Sequence, residues 1–286
     1  MPASGAPIAW SAADAGRYIR VPGPRDDKYS HGVLGVITGS VAYPGAAVLS
    51  VEAAGRTGIG MIRYFGPAEA SHLVLERRPE VVVQPGRVDA YVIGSGIDPD
   101  ELEHDEQRRS HIATAVSSGV PVVLDAGALS FASAHHGPTV ITPHHRELQR
   151  MFATAGRDVA LSEIERDPGS WAAHAADAWN VTVLLKGAVT YICPPQAGSA
   201  GRFRACVAST TSWMATAGTG DVLAGICGAL LATHATEIVA DPSLLGPLAA
   251  TAAFIHAEAG ERVSSGGPVL ALDVAEAVPA LIASLL

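Results

Sequence analysis

Charge is scarce in this chain. Asp, Glu, Lys and Arg make up 16% of its 286 residues and sum to a net −9, and no basic run of five or more residues occurs. The missing basic surface excludes nucleic acid or an anionic membrane as the main partner. A nucleotide site is still allowed, because whole-chain charge does not describe one cleft. Cysteine is nearly absent: Cys193, Cys206 and Cys227 are widely spaced and odd in number, so neither a disulfide framework nor a metal-ligand spacing is available. The N-terminus has no apolar signal core and no window has the length of a membrane span. Gly218 to Ala232 comes nearest but is short and contains Asp221. The expected location is cytoplasmic. Two nucleotide-binding fingerprints are also missing. No Walker A pattern occurs, and Gly94-Ser95-Gly96 lacks the third glycine of a Rossmann turn. Repeats, low-complexity segments and linker-like breaks are absent. One domain over residues 1–286 is expected, with an N-terminal arm of about twenty residues.

What is present is an apolar, Ala- and Gly-rich chain (48% hydrophobic) in which β-branched runs alternate with helical stretches. Val33–Thr38, Met61–Phe65, Tyr91–Gly94, Val120–Asp125 and Val181–Leu185 read as buried strands. Gly45–Thr57, Glu101–Ser118, Arg146–Ala155 and Ser170–Trp179 read as the helices between them. The alternation implies an α/β fold with a mostly parallel sheet covered on both faces. Val189–Cys193 and Phe203–Ala208 then look like an antiparallel pair joined around Gln196–Gly201. Three helices close the chain: Asp221–Thr233, Leu244–Ser264 and Leu272–Leu286. The apolar part of the second, Leu244 to His256, suits either core or an oligomer interface.

Ligands of open α/β sheets bind beyond the carboxyl ends of the strands. Here the strand ends run into Thr38-Gly39-Ser40, Gly94-Ser95-Gly96, Asp125-Ala126-Gly127, Thr142-Pro143-His144 and Lys186-Gly187. Each could be ordinary turn chemistry, but five on one rim favour a single elongated cleft. Ala217-Gly218-Thr219-Gly220-Asp221 adds glycines before an apolar helix, a place where backbone N–H groups and the helix dipole attract an anion. A carboxylate there is either a plain N-cap or a group that handles a hydroxyl proton beside a phosphoryl group. Lys186-Gly187 is either a solvated turn or a phosphate contact. His144 and Glu147, three apart at a helix start, are either a capping arrangement or two groups on the cleft wall.

Taken in order, T-P-H-x-x-E, L-K-G-x-x-T and G-T-G-D-x-L-x-G resemble the ribokinase-like superfamily, and more closely its ADP/ATP-dependent NAD(P)H-hydrate dehydratases. Gly39-Ser40 with Tyr43-Pro44-Gly45-Ala46-Ala47, Arg56–Met61 and Val123–Leu129 support that branch, and the likeness spans about residues 15 to 286. The resemblance implies a three-layer α/β/α fold. It also implies repair of NADH or NADPH hydrated at the C6 position: the terminal phosphate of a nucleotide passes to the hydroxyl, then phosphate leaves. Position by position, it makes Asp221 the base. Gly218, Thr219 and Gly220 become an anion hole. Lys186, Gly187, Ala188, Val189, Thr190 and Gly220 become nucleotide contacts, and Ala47, Gly96, His144 and Asp221 the lining of the hydrated-dinucleotide site. Glu147 falls where kinases of this superfamily place an acid near magnesium and water.

The expected co-substrate is ADP rather than ATP, with magnesium, AMP as the spent nucleotide and the S-epimer of the hydrate as substrate. A homotetramer is the commonest assembly, and the epimerase domain many members carry is not expected here. The sequence departs from the family at Ala217, at His145-Arg146 and at Ser209–Met214. A vitamin-precursor kinase of the same fold, or a nucleotide-binding protein without turnover, are the alternatives.

Overall fold

The computed structural model describes residues 6–97, 99–196 and 203–286. Nine strands form one sheet: β1 (Ile8–Ala9), β2 (Val33–Ile37), β3 (Met61–Tyr64), β4 (Ala90–Ile93), β5 (Val122–Leu124), β6 (Thr139–Ile141), β7 (Thr182–Leu185), β8 (Val189–Cys193) and β9 (Ala205–Ala208). Their order across the sheet is β1-β9-β8-β7-β6-β5-β4-β2-β3. Neighbouring strands run parallel except where β8 pairs with β7 and with β9. The carboxyl ends of β2 and of β4 to β7 therefore share one rim.

The two helical layers follow from period-2 burial along strands that are apolar on both faces. Leu34, Val36, Val92, Val123, Val140, Leu184 and Ile192 face one core, which the helices Pro44–Arg56, Thr219–Thr233, Leu245–Ser264 and Ala271–Leu285 cover. Ile37, Ile93, Leu124, Ile141, Val183, Leu185 and Cys193 face the other, under the helices Glu106–Ser117, His145–Thr154 and Pro168–Trp179. This is the expected three-layer α/β/α arrangement. Thr219–Thr233 is apolar all round and is buried from Val222 to Thr233, as a helix between a sheet and further helices must be. Its close neighbours include Ala53, whose Cβ lies 3.0 Å from where a Cβ on Gly225 would fall.

The expected strands and helices occur, with ends shifted by one or two residues. The stretch expected as one helix over Glu101–Ser118 is two, because the Asp105 side chain accepts from the Arg108 amide and starts a new helix at Glu106. The turn expected around Gln196–Gly201 lies, beyond Gln196, outside the described residues. The last helix but one is core: Leu248, Ala249, Ala252 and Ile255 are fully buried. The N-terminal arm is built into the fold, since β1 adds an edge strand to β9 and Trp10 packs edge-on against Phe203. Ser11 then caps a short helix, Ala12–Gly16, through a reciprocal bond pair with Asp14. No helix among the described residues is long and apolar enough to cross a membrane.

Candidate active site

Continuation of the β6–β7 ladder past both strands fixes the centre of the cleft. The Lys186 amide donates to the Pro143 carbonyl at 2.8 Å, and Lys186 bridges to His144 in parallel register. The T-P-H and L-K-G stretches thus lie side by side. The Lys186 ammonium sits 2.8 Å from Asp125 Oδ1 and 3.9 Å from Glu147 Oε2. Asp125 is 2% exposed and also accepts from Thr142 Oγ1 at 2.6 Å and Ser95 Oγ at 2.9 Å. Burial alone would raise the Asp125 pKa, but Lys186 and the two hydroxyls outweigh it and hold the carboxyl below the usual range. Burial likewise works against the Lys186 charge, and Asp125 and Glu147 overcome it, keeping the ammonium above its ordinary pKa.

Asp221 is the third residue, in the first turn, of the helix Thr219–Thr233, whose N-cap is Gly218. The capping alternative for Asp221 is therefore ruled out: the helix begins two residues before the expected Asp221 start, and the cap makes no side-chain bond. Gly218 takes φ 90°, and a Cβ there would come within 2.5 Å of Leu49 Cδ1, so glycine is required on both counts. Val222 is the first residue whose amide bonds back along the helix, to Gly218 at 3.2 Å. The amides of Thr219, Gly220 and Asp221 thus belong to the open first turn, where an anion is favoured. Burial pushes the Asp221 carboxyl up to about 7; the neighbouring Asp125 charge adds to the rise, and Lys186 and Ser95 oppose it. A carboxyl balanced there can both take and return a proton near neutrality.

Beside Lys186 opens a cavity of about 820 Å³, lined by His144, Lys186, Gly187, Ala188, Thr190, Thr219 and Gly220, and by the segment from Ser209 to Thr216. Five of the six predicted nucleotide contacts line it. Val189 is not among the lining residues; it pairs with Ala208 in the β8–β9 ladder. A Cβ on Gly220 would sit 3.5 Å from Lys186 Nζ, so the missing side chain leaves room directly before the ammonium. Gly218, Asp221, Ala47 and Gly96 lie outside this lining, on the β2–β4 side of Lys186. Gly96 has φ 65°, and a Cβ there would meet Ala46 Cβ at 2.5 Å and Gly39 Cα at 3.2 Å. Ala47 is fully buried against Gly39, so it shapes the wall without presenting its side chain. Tyr64 donates to the Thr38 carbonyl at 2.7 Å and Arg108 to the Gly39 carbonyl, bracing this end of the rim.

His144 and Glu147 form a capping box after all. The Glu147 amide donates to His144 Nδ1 at 3.1 Å, and the His144 amide donates to Glu147 Oε2 at 2.8 Å. The imidazole is itself the cap, which fixes its ring: Nδ1 is the acceptor, so Nε2 carries the proton. Burial, with Lys186 and Arg150, outweighs the Glu147 charge and lowers the His144 pKa. The ring therefore meets a ligand as a neutral donor. Among the described residues no group of three or more His, Cys, Asp or Glu side chains forms a metal cage.

The divergent Ser209–Met214 segment is tied down rather than loose. The Ser209 amide donates to Ala188 at 2.9 Å, Thr210 to Glu261 at 2.6 Å, and Trp213 Nε1 to Gly266 at 3.2 Å. Thr219 Oγ1 reaches the Met214 and Thr216 carbonyls, both at 3.1 Å. Three participants carry no distinctive signal in the sequence: Thr142 and Ser95 read only as strand-end polar residues, and His256, which lines the cavity, is a lone imidazole in an Ala-rich helix.

The mostly parallel sheet brings a largely buried lysine, two carboxylates and an open helix N-terminus to one rim of an α/β fold of the ribokinase-like type. Solved structures agree on the fold. An ADP/ATP-dependent NAD(P)H-hydrate dehydratase from Bacillus subtilis, co-crystallised with ATP and magnesium, superposes with a TM-score of 0.81 at 24% identity, covering 99% of this chain and 100% of that one. A ribokinase-like superfamily protein from Enterococcus faecalis does so with a TM-score of 0.79 at 21% identity, covering 97% and 96%. The pattern of the NAD(P)H-hydrate dehydratase family matches residues 34–279, and the chain belongs to that family. It is 39% identical over 242 residues to the bifunctional NAD(P)H-hydrate repair enzyme of Mycobacterium tuberculosis, a match that takes in 79% of this chain and 46% of that protein. The chain thus spans about half the length of the curated relatives it matches.

Proposed function

We propose that this protein dehydrates the S-epimer of hydrated NADH or NADPH, using ADP as phosphoryl donor and releasing AMP and phosphate. The observation that supports this most is the meeting, at Lys186, of a nucleotide-sized cavity with a half-buried carboxyl of pKa about 7 beside an open helix N-terminus. The nucleotide lies in the cavity along Lys186, Gly187, Ala188 and Thr190, with its terminal phosphate toward Gly220. Val189 contributes through the strand that carries Thr190. Thr219 and Gly220 amides, with the Gly218 turn, receive the charge that develops on the transferring group. The hydrated ring lies toward Gly96 and the Ala47 wall, with His144 Nε2–H as donor and Asp221 against the C6 hydroxyl.

Asp221 takes the hydroxyl proton as the oxygen attacks the phosphoryl group. The C6–O bond then breaks with phosphate as the leaving group, pushed by the ring-nitrogen electrons. A proton is lost from the adjacent ring carbon to restore the dihydropyridine. Phosphorylation matters because hydroxide is a poor leaving group and phosphate a good one. Magnesium would be held chiefly by the nucleotide's own phosphates and waters, with Glu147 as the carboxylate in reach, and would supply charge neutralisation. A homotetramer working in the cytoplasm completes the proposal.

The test is incubation with hydrated NADH, ADP and magnesium, following the reduced-nicotinamide absorbance and AMP together. Stoichiometric return of absorbance with AMP supports the proposal. No recovery with either ADP or ATP would sink it. A phosphorylated vitamin alcohol formed without any nicotinamide signal would favour the kinase alternative.

A further inference from the structure

His256 lies on the helix Leu245–Ser264 and lines the same cavity as Lys186, Thr219 and Gly220. Its Nε2 is buried and has no hydrogen-bond partner among the described residues. The same lining includes the apolar side chains of Leu223, Ala253, Ala257 and Met214. A buried polar atom with no partner is costly and uncommon, and an apolar ring would fill the same volume without that cost. The other ring nitrogen is already engaged: the ring's hydrogen bond is to the Thr219 backbone, and it favours the protonated nitrogen. With Nε2 unpartnered, that bond belongs to Nδ1–H, which leaves a bare lone pair on Nε2. Burial, reinforced by the Lys186 charge, pushes the imidazole down to about 4, so the lone pair stays available at neutral pH. Such an atom repels phosphate oxygens and accepts from O–H or N–H groups.

We infer that His256 Nε2 accepts a hydrogen bond from a hydroxyl or amine of the bound nucleotide's nucleoside, which makes His256 a specificity-determining residue for the co-substrate. The inference rests on the placement of the nucleotide in this cavity. No described residue satisfies the acceptor, and the nucleotide satisfies it on binding. A ligand without the donor leaves it buried and unpaired, the arrangement by which polar sites reject analogues most strongly.

The experiment is calorimetric titration of the full chain with magnesium-ADP, without any hydrate. Wild type, His256→Phe and His256→Gln are compared, then wild type with 2′-deoxy-ADP, 3′-deoxy-ADP and the diphosphate of unsubstituted purine riboside. The expected result is a loss of about tenfold in ADP affinity for His256→Phe, largely recovered in His256→Gln. The KM for ADP rises by a similar factor in His256→Phe and falls back in His256→Gln. One of the three analogues loses about the same factor on wild type, which identifies the donor, and His256→Phe no longer discriminates against it. If His256→Phe does not fold, the analogue series on wild type decides alone. Wild type binding ADP and all three analogues within about twofold overturns the inference and leaves the nucleotide site standing. Wild type that binds no ADP overturns the site and the inference together.

Discussion

Replacing Asp221 by Asn should make the protein inactive and, above neutral pH, more stable. The carboxyl has a pKa of about 7 in the folded chain against an ordinary value of 3.8. Folding therefore costs more when the group is ionised. The native state binds the extra proton between those two values, so stability falls as pH rises from about 4 through about 7, and the full penalty applies above that. A shift of about three units at 1.36 kcal/mol each sets an upper limit near ~4 kcal/mol. Partial exposure and relaxation bring the expected gain in Asp221→Asn to about 1–3 kcal/mol. For a chain of this size that is roughly 3–8 °C in melting temperature at about pH 8. Below about pH 4 Asp221 is protonated in the folded and the unfolded chain alike, and the two proteins should melt within about a degree. Turnover should fall about 10²- to 10⁴-fold, the usual contribution of a general base. Thermal melts of both proteins across that pH range, with parallel activity assays, check both halves. A melting difference that is constant with pH, or an Asn variant that retains activity, would refute the reasoning.

Four further outcomes follow, three from the cleft and one from a buried carboxylate elsewhere in the fold. Lys186→Met leaves Asp125 buried without its cation and should cost about 3–5 kcal/mol of stability; adding Asp125→Asn should restore the melting temperature but not nucleotide binding by titration. Gly220→Ala meets only an ordinary 3.5 Å contact at Lys186 Nζ, so it should fold normally yet bind ADP at least about tenfold more weakly. Gly218→Ala, clashing at Leu49 with φ 90°, should lose about 1–3 kcal/mol in chemical denaturation. Glu52 is wholly buried and accepts from Arg56 at 2.6 Å, Arg77 at 3.3 Å and Arg78. Burial opposes its charge, but the arginines bring its pKa to about 2. Its contribution should be complete above about pH 4.5 and fade as pH falls toward 2, and Glu52→Gln should lower the melting point at neutral pH while abolishing that acid-side dependence.

The sheet and most helices were legible because their residues carry two plain periods, and because parallel strands buried on both faces read as β-branched runs. Thr139–Ile141 was not counted as a strand: three residues after Pro138 are too short for a pattern, and the pairing with β5 and β7 that makes them one is long-range. The arm's edge strand, Ile8–Ala9, is shorter still and exists through its bond to β9. At the site, Lys186, His144 and Asp125 could be placed on one rim from strand ends alone, and the Gly218–Asp221 turn joins them through the order of motifs that carries the resemblance. Their electrostatics could not. That Lys186 answers Asp125, leaving Asp221 to take up the strain of burial, depends on distances across three strands. His144 reads in the sequence as either cap or cleft residue, and the structure makes it both: Nδ1 caps the helix and the residue lines the cavity. His256 had no local signal, since a histidine in an apolar helix acquires meaning only from the cavity it faces.

The claim at the centre is that phosphate meets the substrate hydroxyl in this cleft before water is lost. It is tested most directly by labelling the hydroxyl oxygen of hydrated NADH with heavy oxygen and running the reaction to completion with ADP and magnesium. The label should appear in inorganic phosphate, in an amount equal to the NADH recovered. Label released into water, with NADH restored, would contradict the account, because the nucleotide would then be an activator and not the donor.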